Sequence, residues 1–246
     1  MHMTLFTNAC MFDNGRLVHK DAVLMDGALS FFAPNSVSAS ADKNGTAQLD
    51  TDVAVLTMKG ETITSCFIDA IQSKTPYEGA ATYLSKNQLG ADYGMVAWGG
   101  AVAEWYAQAD ALAQFAIGKT FEEFKNTAID ATGKAPAGSD LASSATIYLG
   151  GYVNAIEVAV NNAQHLGAQA GDELRLAAIP SLKSSVNGTA QLDCDVTALT
   201  VKDGIITSCY IDSLQAKVTF GADGVITGGV SAAVETKNQL GDKYGM

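Results

Sequence analysis

Residues 44–74 and 187–217 are two versions of one segment, NGTAQLDTDVAVLTMKGETITSCFIDAIQSK and NGTAQLDCDVTALTVKDGIITSCYIDSLQAK, identical at 20 of 31 positions without a gap. A second shared block follows each, KNQLGADYGM at 86–95 and KNQLGDKYGM at 237–246. Such a chain uses one supersecondary unit twice, and each unit needs a neighbour on which to bury its apolar face. In the first copy Leu49, Thr51, Val53, Val55 and Thr57 alternate with Gln48, Asp50, Asp52, Ala54, Leu56 and Met58. That two-residue period predicts a half-buried strand. Lys59–Gly60 turns the first copy and Lys202–Asp203–Gly204 the second, where Asp-Gly between alternating runs is a strong hairpin signal. The second copy is longer by eight residues and contains a further Asp223–Gly224 turn. Residues 3–32 read as another hairpin pair, turning at Asn14–Gly15 and Asp26–Gly27.

Between the copies the period becomes helical. Val102, Trp105, Tyr106, Ala109, Leu112, Ala113, Ala116 and Ile117 fall at three- and four-residue steps, and Gly118 is a natural stop. Thr120 and Glu123 form a capping box that opens a short helix running to about Ala128. Residues 133–140 read as a loop, and 151–164 as a third helix with Val153, Ile156, Val160 and Ala163 on one face. Residues 166–186 read as a connection, turning at Gly171–Asp172 and extended from Pro180. The expected fold is α+β, with antiparallel sheets from duplicated hairpins and one central helical insert. The expected organisation is an N-terminal β-hairpin segment at 1–43, a first repeat with the insert at 44–170, and a second repeat at 171–246 packed on the first. The helices occur only once, so the C-terminal sheet has a face to cover. That face predicts packing on the first half or self-association.

Composition removes several functions. A net charge of −11 and no basic cluster argue against a nucleic-acid partner. His2, His19 and His165 are scattered, and Cys10, Cys66, Cys194 and Cys209 have no zinc spacing, so no metal centre is expected. Cys66 and Cys209 share one repeat position and read as small buried hydrophobes. No stretch reaches the ~18 apolar residues of a membrane span, and the first residues lack the pattern of a signal peptide. The pairs Asp50/Asp52 and Asp193/Asp195 read as a solvated strand face rather than a calcium or acid–base site. Trp98, Trp105, Tyr106, Tyr93 and Tyr244 could stack on a planar ligand, but aromatics at helical spacing usually build core. The KNQLG blocks read as a structural clasp, with Leu89 and Leu240 as plugs and Gly90 and Gly241 as turns.

One segment carries a chemical pattern, Asp140-Leu-Ala-Ser143-Ser144-Ala145-Thr146 ahead of a helix. It resembles the Asp-x-x-Ser/Thr-Gly-Ala-Ser/Thr motif of the FMN-binding domains of flavinylated electron-transfer proteins, and the hairpins resemble those that open such domains. Over residues 36–246 the chain also resembles duplicated lipoprotein-like proteins of Gram-positive anaerobes with no assigned function. The first resemblance implies FMN held by Asp140, Ser143, Ser144 and Ala145 and linked through its phosphate to Thr146; Ser144 stands where that family has glycine. It also implies electron transfer without independent catalysis, at the cell envelope or outside the cell; the residues alone would leave the protein in the cytoplasm. Thr146 would offer an exposed hydroxyl and the helix start amide donors for a phosphate. The bland reading is that the same residues cap a helix or begin a strand. It goes with a structural or protein-interaction module that has no cofactor.

Overall fold

The computed structural model describes residues 46–77, 83–223, 225–229 and 234–245, and the strand positions of four short N-terminal segments. It is an α+β fold of three layers: helices, a first sheet and a second sheet. Strands β1 (Phe12–Asp13) and β2 (Arg16–Leu17) pair across Asn14–Gly15 as expected. The turn expected at Asp26–Gly27 ends outside the described residues. β3 (Asp21–Asp26) and the short β4 (Ser36–Val37) join one side of the long β5 (Thr46–Lys59), and β6 (Thr62–Pro76) joins the other. The second sheet has the order β10-β9-β8-β7, from β7 (Glu173–Ser181), β8 (Thr189–Lys202), β9 (Ile205–Phe220) and β10 (Ile226–Gly229). Asp203 and Gly204 both have positive φ, 51° and 79°, as a two-residue turn between twisted strands requires.

β7 falls where a connection extended only from Pro180 was expected; the extended segment begins at Glu173 and Pro180 lies near its end. Among the described residues β7 is an edge strand bonded only to β8, where a missing N–H costs little. Its register shows that the repeat is larger than the hairpin: Ala22 lies opposite Met58, and Glu173 lies opposite Val201, the same position of the second copy. The repeated unit is thus a three-stranded antiparallel sheet.

The two sheets pack face to face. Leu49, Val53, Val55 and Ile71 of the first meet Leu192, Val196, Ala198 and Leu214 of the second in one core. These are the same positions of the repeat, so the chain resembles two related subunits joined through one shared face. The other side of the first sheet is roofed by α2 (Trp105–Ala116), α3 (Phe121–Ala128) and α4 (Gly150–Asn161), which bury Ala54, Leu56, Met58, Ile63, Cys66, Ile68 and Ala70. β5 is therefore buried on both faces, not one. The capping box at Thr120 and Glu123 forms as expected, with Thr120 Oγ1 accepting from the Glu123 amide at 3.3 Å.

Among the described residues the second sheet has no such roof. Ile211, the counterpart of buried Ile68, is 61% exposed, and Ile179 and Ile206 stand open beside it. Cys209 is exposed for the same reason, while Cys66 is buried, so the expectation that both are core fails for the second. Among the described residues no helix is long and apolar enough to cross a membrane.

Candidate functional site

The KNQL blocks form one-turn helices, α1 (Lys86–Leu89) and α5 (Lys237–Leu240), with capping boxes from Ser85 and Thr236. Asp69 Oδ1 accepts from the Asn87 amide at 3.1 Å and from the Ala70 amide at 2.8 Å, while Asn87 Nδ2 donates to the Ile68 carbonyl at 2.8 Å. Asp212 and Asn238 repeat the pattern on Ile211 at 3.1 and 3.0 Å. The blocks are clasps, but their hold is polar. Leu89 and Leu240 are only half-buried and do not plug the core. Gly90 and Gly241, at φ 55° and 51°, do turn the chain as expected. Burial pushes the Asp69 carboxyl up, and its bonds to Ser85, Asn87 and Ala70 and the Lys86 charge pull it back.

The first clasp holds Lys86 over the rings of Tyr93 and Trp105, 4.9 and 5.2 Å from their centroids. These groups wall a cleft of about 210 Å³ between the first sheet and the amino ends of α2 and α4. Asp50, Asp52 and Gln72 reach it from the strands, Tyr148 and Tyr152 from the segment that opens α4. Trp105 Nε1 donates to the Tyr152 hydroxyl at 3.0 Å, and Tyr93 donates its hydroxyl to Gln72 Oε1 at 3.0 Å. Burial first, and the Asp52 carboxylate next, hold the Tyr152 phenol far above its usual range.

Asp50 and Asp52 thus correct the expectation of a solvated face. Asp52 is 6% exposed and Asp50 half-buried, because the helices roof this copy; Asp195, in the open copy, is exposed as expected. Asp50 Oδ2 accepts from Gln48 Nε2 at 2.7 Å, but its Oδ1 is buried without a partner. Of the aromatics singled out in the sequence, Trp105 is core and a cleft wall, Tyr93 is half-buried there, and Tyr106 and Trp98 face solvent.

The Asp140–Thr146 segment does not line the cleft but leads into Ile147 and Tyr148, which do. Asp140, Ser143, Ser144 and Thr146 are exposed, and Ala145 is buried. Ser143 Oγ donates to the Asp140 carbonyl at 2.7 Å within a 3-10 turn at Leu141–Ser143. None of these residues caps α4, whose cap position is Leu149. Ser144 sits at φ −114°, ψ −22°, a right-handed conformation that a serine adopts as readily as glycine. Buried Gln108 accepts through Oε1 from the Thr146 amide at 2.8 Å, the Ile147 amide at 3.2 Å and the Thr146 hydroxyl at 3.3 Å. Those two amides are therefore engaged and do not face a phosphate. The cleft is also smaller than the ~300–1,000 Å³ usual for drug-sized ligands. Its two carboxylates oppose a phosphate. A flavin does not fit inside it; Thr146 is an exposed residue, but its hydroxyl is engaged with Gln108.

A larger groove, about 670 Å³, runs between the free edges of β6 and β7, beside Phe67, Tyr106 and Leu174. Its lining is more apolar than that of the cleft, although Asp69, Asp110, Glu173 and Arg175 also border it. The smaller cleft is the better candidate because charged, polar and aromatic groups converge on it. Among the described residues no group of three or more His, Cys, Asp or Glu stands close enough to hold a metal ion. No protein-family model, curated protein or solved structure matches the chain.

Proposed function

We propose that this protein is a non-catalytic binding protein that holds a small ligand in the cleft between the first sheet and the amino ends of α2 and α4. One observation carries this reading. Charged Asp50, Asp52 and Lys86, polar Gln72 and the rings of Tyr93, Trp105, Tyr148 and Tyr152 all line one cleft of about 210 Å³. A fragment library titrated by calorimetry tests it. Hits should bind the native chain and weaken at least about tenfold in Tyr148→Ala, which removes an exposed wall of the cleft. Fragments that bind the variant equally well would place binding elsewhere.

A second reading is an FMN carried on Thr146 for electron transfer, at the cell envelope or beyond it. The exposure of the Thr146 residue favours it. The flavin would then lie outside the cleft, against the Tyr148 side of its rim. Coexpression with a flavin transferase should give a yellow protein heavier by one FMN less one water, and Thr146→Ala should abolish the increment. A colourless protein of unchanged mass rules that reading out. As a partner surface, the open face of the second sheet fits a second copy of the chain, since Ile179, Ile206 and Ile211 are exposed there. Light scattering that stays monomeric at high concentration would exclude it.

A further inference from the structure

The outer faces of the two sheets are built from the same positions, and the first copy shows what such a face accepts. There α2 runs along β6, while α4 runs along β5 and β3. The differences between the copies fall unequally on these two tracks. On the α4 track Ala54 becomes Thr197, and Arg175 stands opposite Leu199 where Leu24 stands opposite Leu56. On the α2 track Ile63, Cys66 and Ile68 recur as Ile206, Cys209 and Ile211, and Thr62 is replaced by Ile205. Only Ala70 turns polar there, as the small Ser213. The second copy thus keeps one apolar track along β9, on which Ile205, Ile206 and Ile211 are 69%, 58% and 61% exposed.

In the first copy α2 buries Ala109, Leu112, Ala113 and Ala116 in the core it shares with that track, and contacts at both its ends fix its place. At its start Lys86 lies over the Trp105 ring as well as over Tyr93. Lys237 keeps the matching contact with Tyr244, at 4.9 Å, and has no second ring among the described residues. Just past its end the Lys119 carbonyl accepts from the Ile63 amide at 2.9 Å, and the Gly118 amide donates to the Ile63 carbonyl at 2.8 Å. Ile206 has neither partner among the described residues. A cation at one end, an unmatched edge residue at the other and isoleucines between them suit one helix lying as α2 does. We propose that the open face binds an amphipathic helix of a partner protein along β9. An aromatic residue in its first turn meets Lys237, and small residues at three- and four-residue steps lie on Ile206, Cys209 and Ile211. A glycine after its last turn lets the chain bond the Ile206 edge. Such a helix, ~18 Å long and ~10 Å wide, covers far less than the ~800 Å² a side of a stable complex, so the association is reversible. This inference goes beyond the small-ligand reading. It rests on the open face being a partner surface and sets a helix against a second copy as the occupant.

The probe is a peptide of residues 103–120, the chain's own α2 with its flanks. A lactam across Asp110 and Gln114→Lys, two positions exposed in the native chain, holds it helical. Backbone amide signals of Ile206, Cys209, Ile211 and Lys237 report on the open face, and those of Cys66 and Ile68 on the roofed one. The peptide should move the first group with a Kd of ~100 µM or tighter and leave the second unmoved. Ala109→Glu with Ala113→Glu in the peptide should weaken binding at least about tenfold, and so should Ile211→Asp in the chain, a change at an exposed position. Should the peptide move neither group while light scattering shows a monomer, the face takes no helix and the proposal is overturned. Should the peptide fail to bind while light scattering shows a dimer that Ile211→Asp dissolves, the occupant is a second copy; the helix is then refuted and the partner surface stands. Binding that survives Ile211→Asp places the peptide elsewhere and also overturns the proposal.

Discussion

Ile68 and Ile211 occupy the same position of the repeat, yet one lies under helices at 3% exposure and the other stands in solvent at 61%. Replacing each by alanine removes the same three carbons from the same kind of strand. At Ile68 nearly all of that surface is buried, so the lost transfer energy is about 2.4 kcal/mol at about 0.8 per methylene. A residual cavity under α2 raises the cost to about 3 kcal/mol. At Ile211 less than half of the side chain is covered and no cavity forms, which leaves about 1 kcal/mol. The loss of strand preference is common to both and cancels. Urea unfolding should therefore separate the variants by about 2 kcal/mol, a midpoint difference of roughly 1 M for a slope near 2 kcal/mol/M. Equal costs would refute the assignment of roofed and open faces. A cost at Ile211 that grows with protein concentration would instead mean that a second copy covers that face.

Other consequences are simpler to check. Gln108→Ala should cost about 2–3 kcal/mol in urea unfolding, because the Thr146 and Ile147 amides and the Ala103 carbonyl all lose their partner. Thr120→Ala should cost about 1 kcal/mol through loss of the cap on α3. In a Cys10→Ser background, thiol labelling of the folded chain at pH 8 should modify Cys209 and spare Cys66 and Cys194, whose thiols burial pushes up to about 12. The unfolded chain releases those two protons at lower pH than the folded one. Stability is therefore full below the ordinary thiol range and should fall as pH rises above it, by up to about 1.4 kcal/mol per pH unit for each buried thiol. Cys66→Ala with Cys194→Ala should flatten that slope in urea titrations between pH 8 and 10.

The strands β5, β6, β8 and β9 were legible because alternation and the turns at Lys59–Gly60 and Asp203–Gly204 are local signals, and α3 because its capping box is four residues long. β7 was not, because Pro180 reads as a break unless the strand is known to be an edge. Alternation also says nothing of whether the second face is covered, which is why β5 looked half-buried. The cleft escaped for a different reason. It gathers Asp50, Lys86, Trp105 and Tyr152, spread over about a hundred residues, and only the packing of α2 and α4 on the sheet brings them together. A signal was present nonetheless. Asp50 and Asp52 share a strand face with Ala54, Leu56 and Met58, and carboxylates in line with such an apolar run imply a covered edge with a purpose. The Asp140–Thr146 pattern located a neighbouring rim rather than the cleft itself.

The proposed ligand site lies under the helical roof, not in the broader groove between the two sheet edges. Backbone amide spectra recorded during titration with the best-bound fragment test it most directly. Binding there should shift the amides around Asp50, Gln72, Tyr93, Trp105 and Gly151. Shifts gathered instead around Phe67, Tyr106 and Leu174, with the Trp105 indole unmoved, would contradict it.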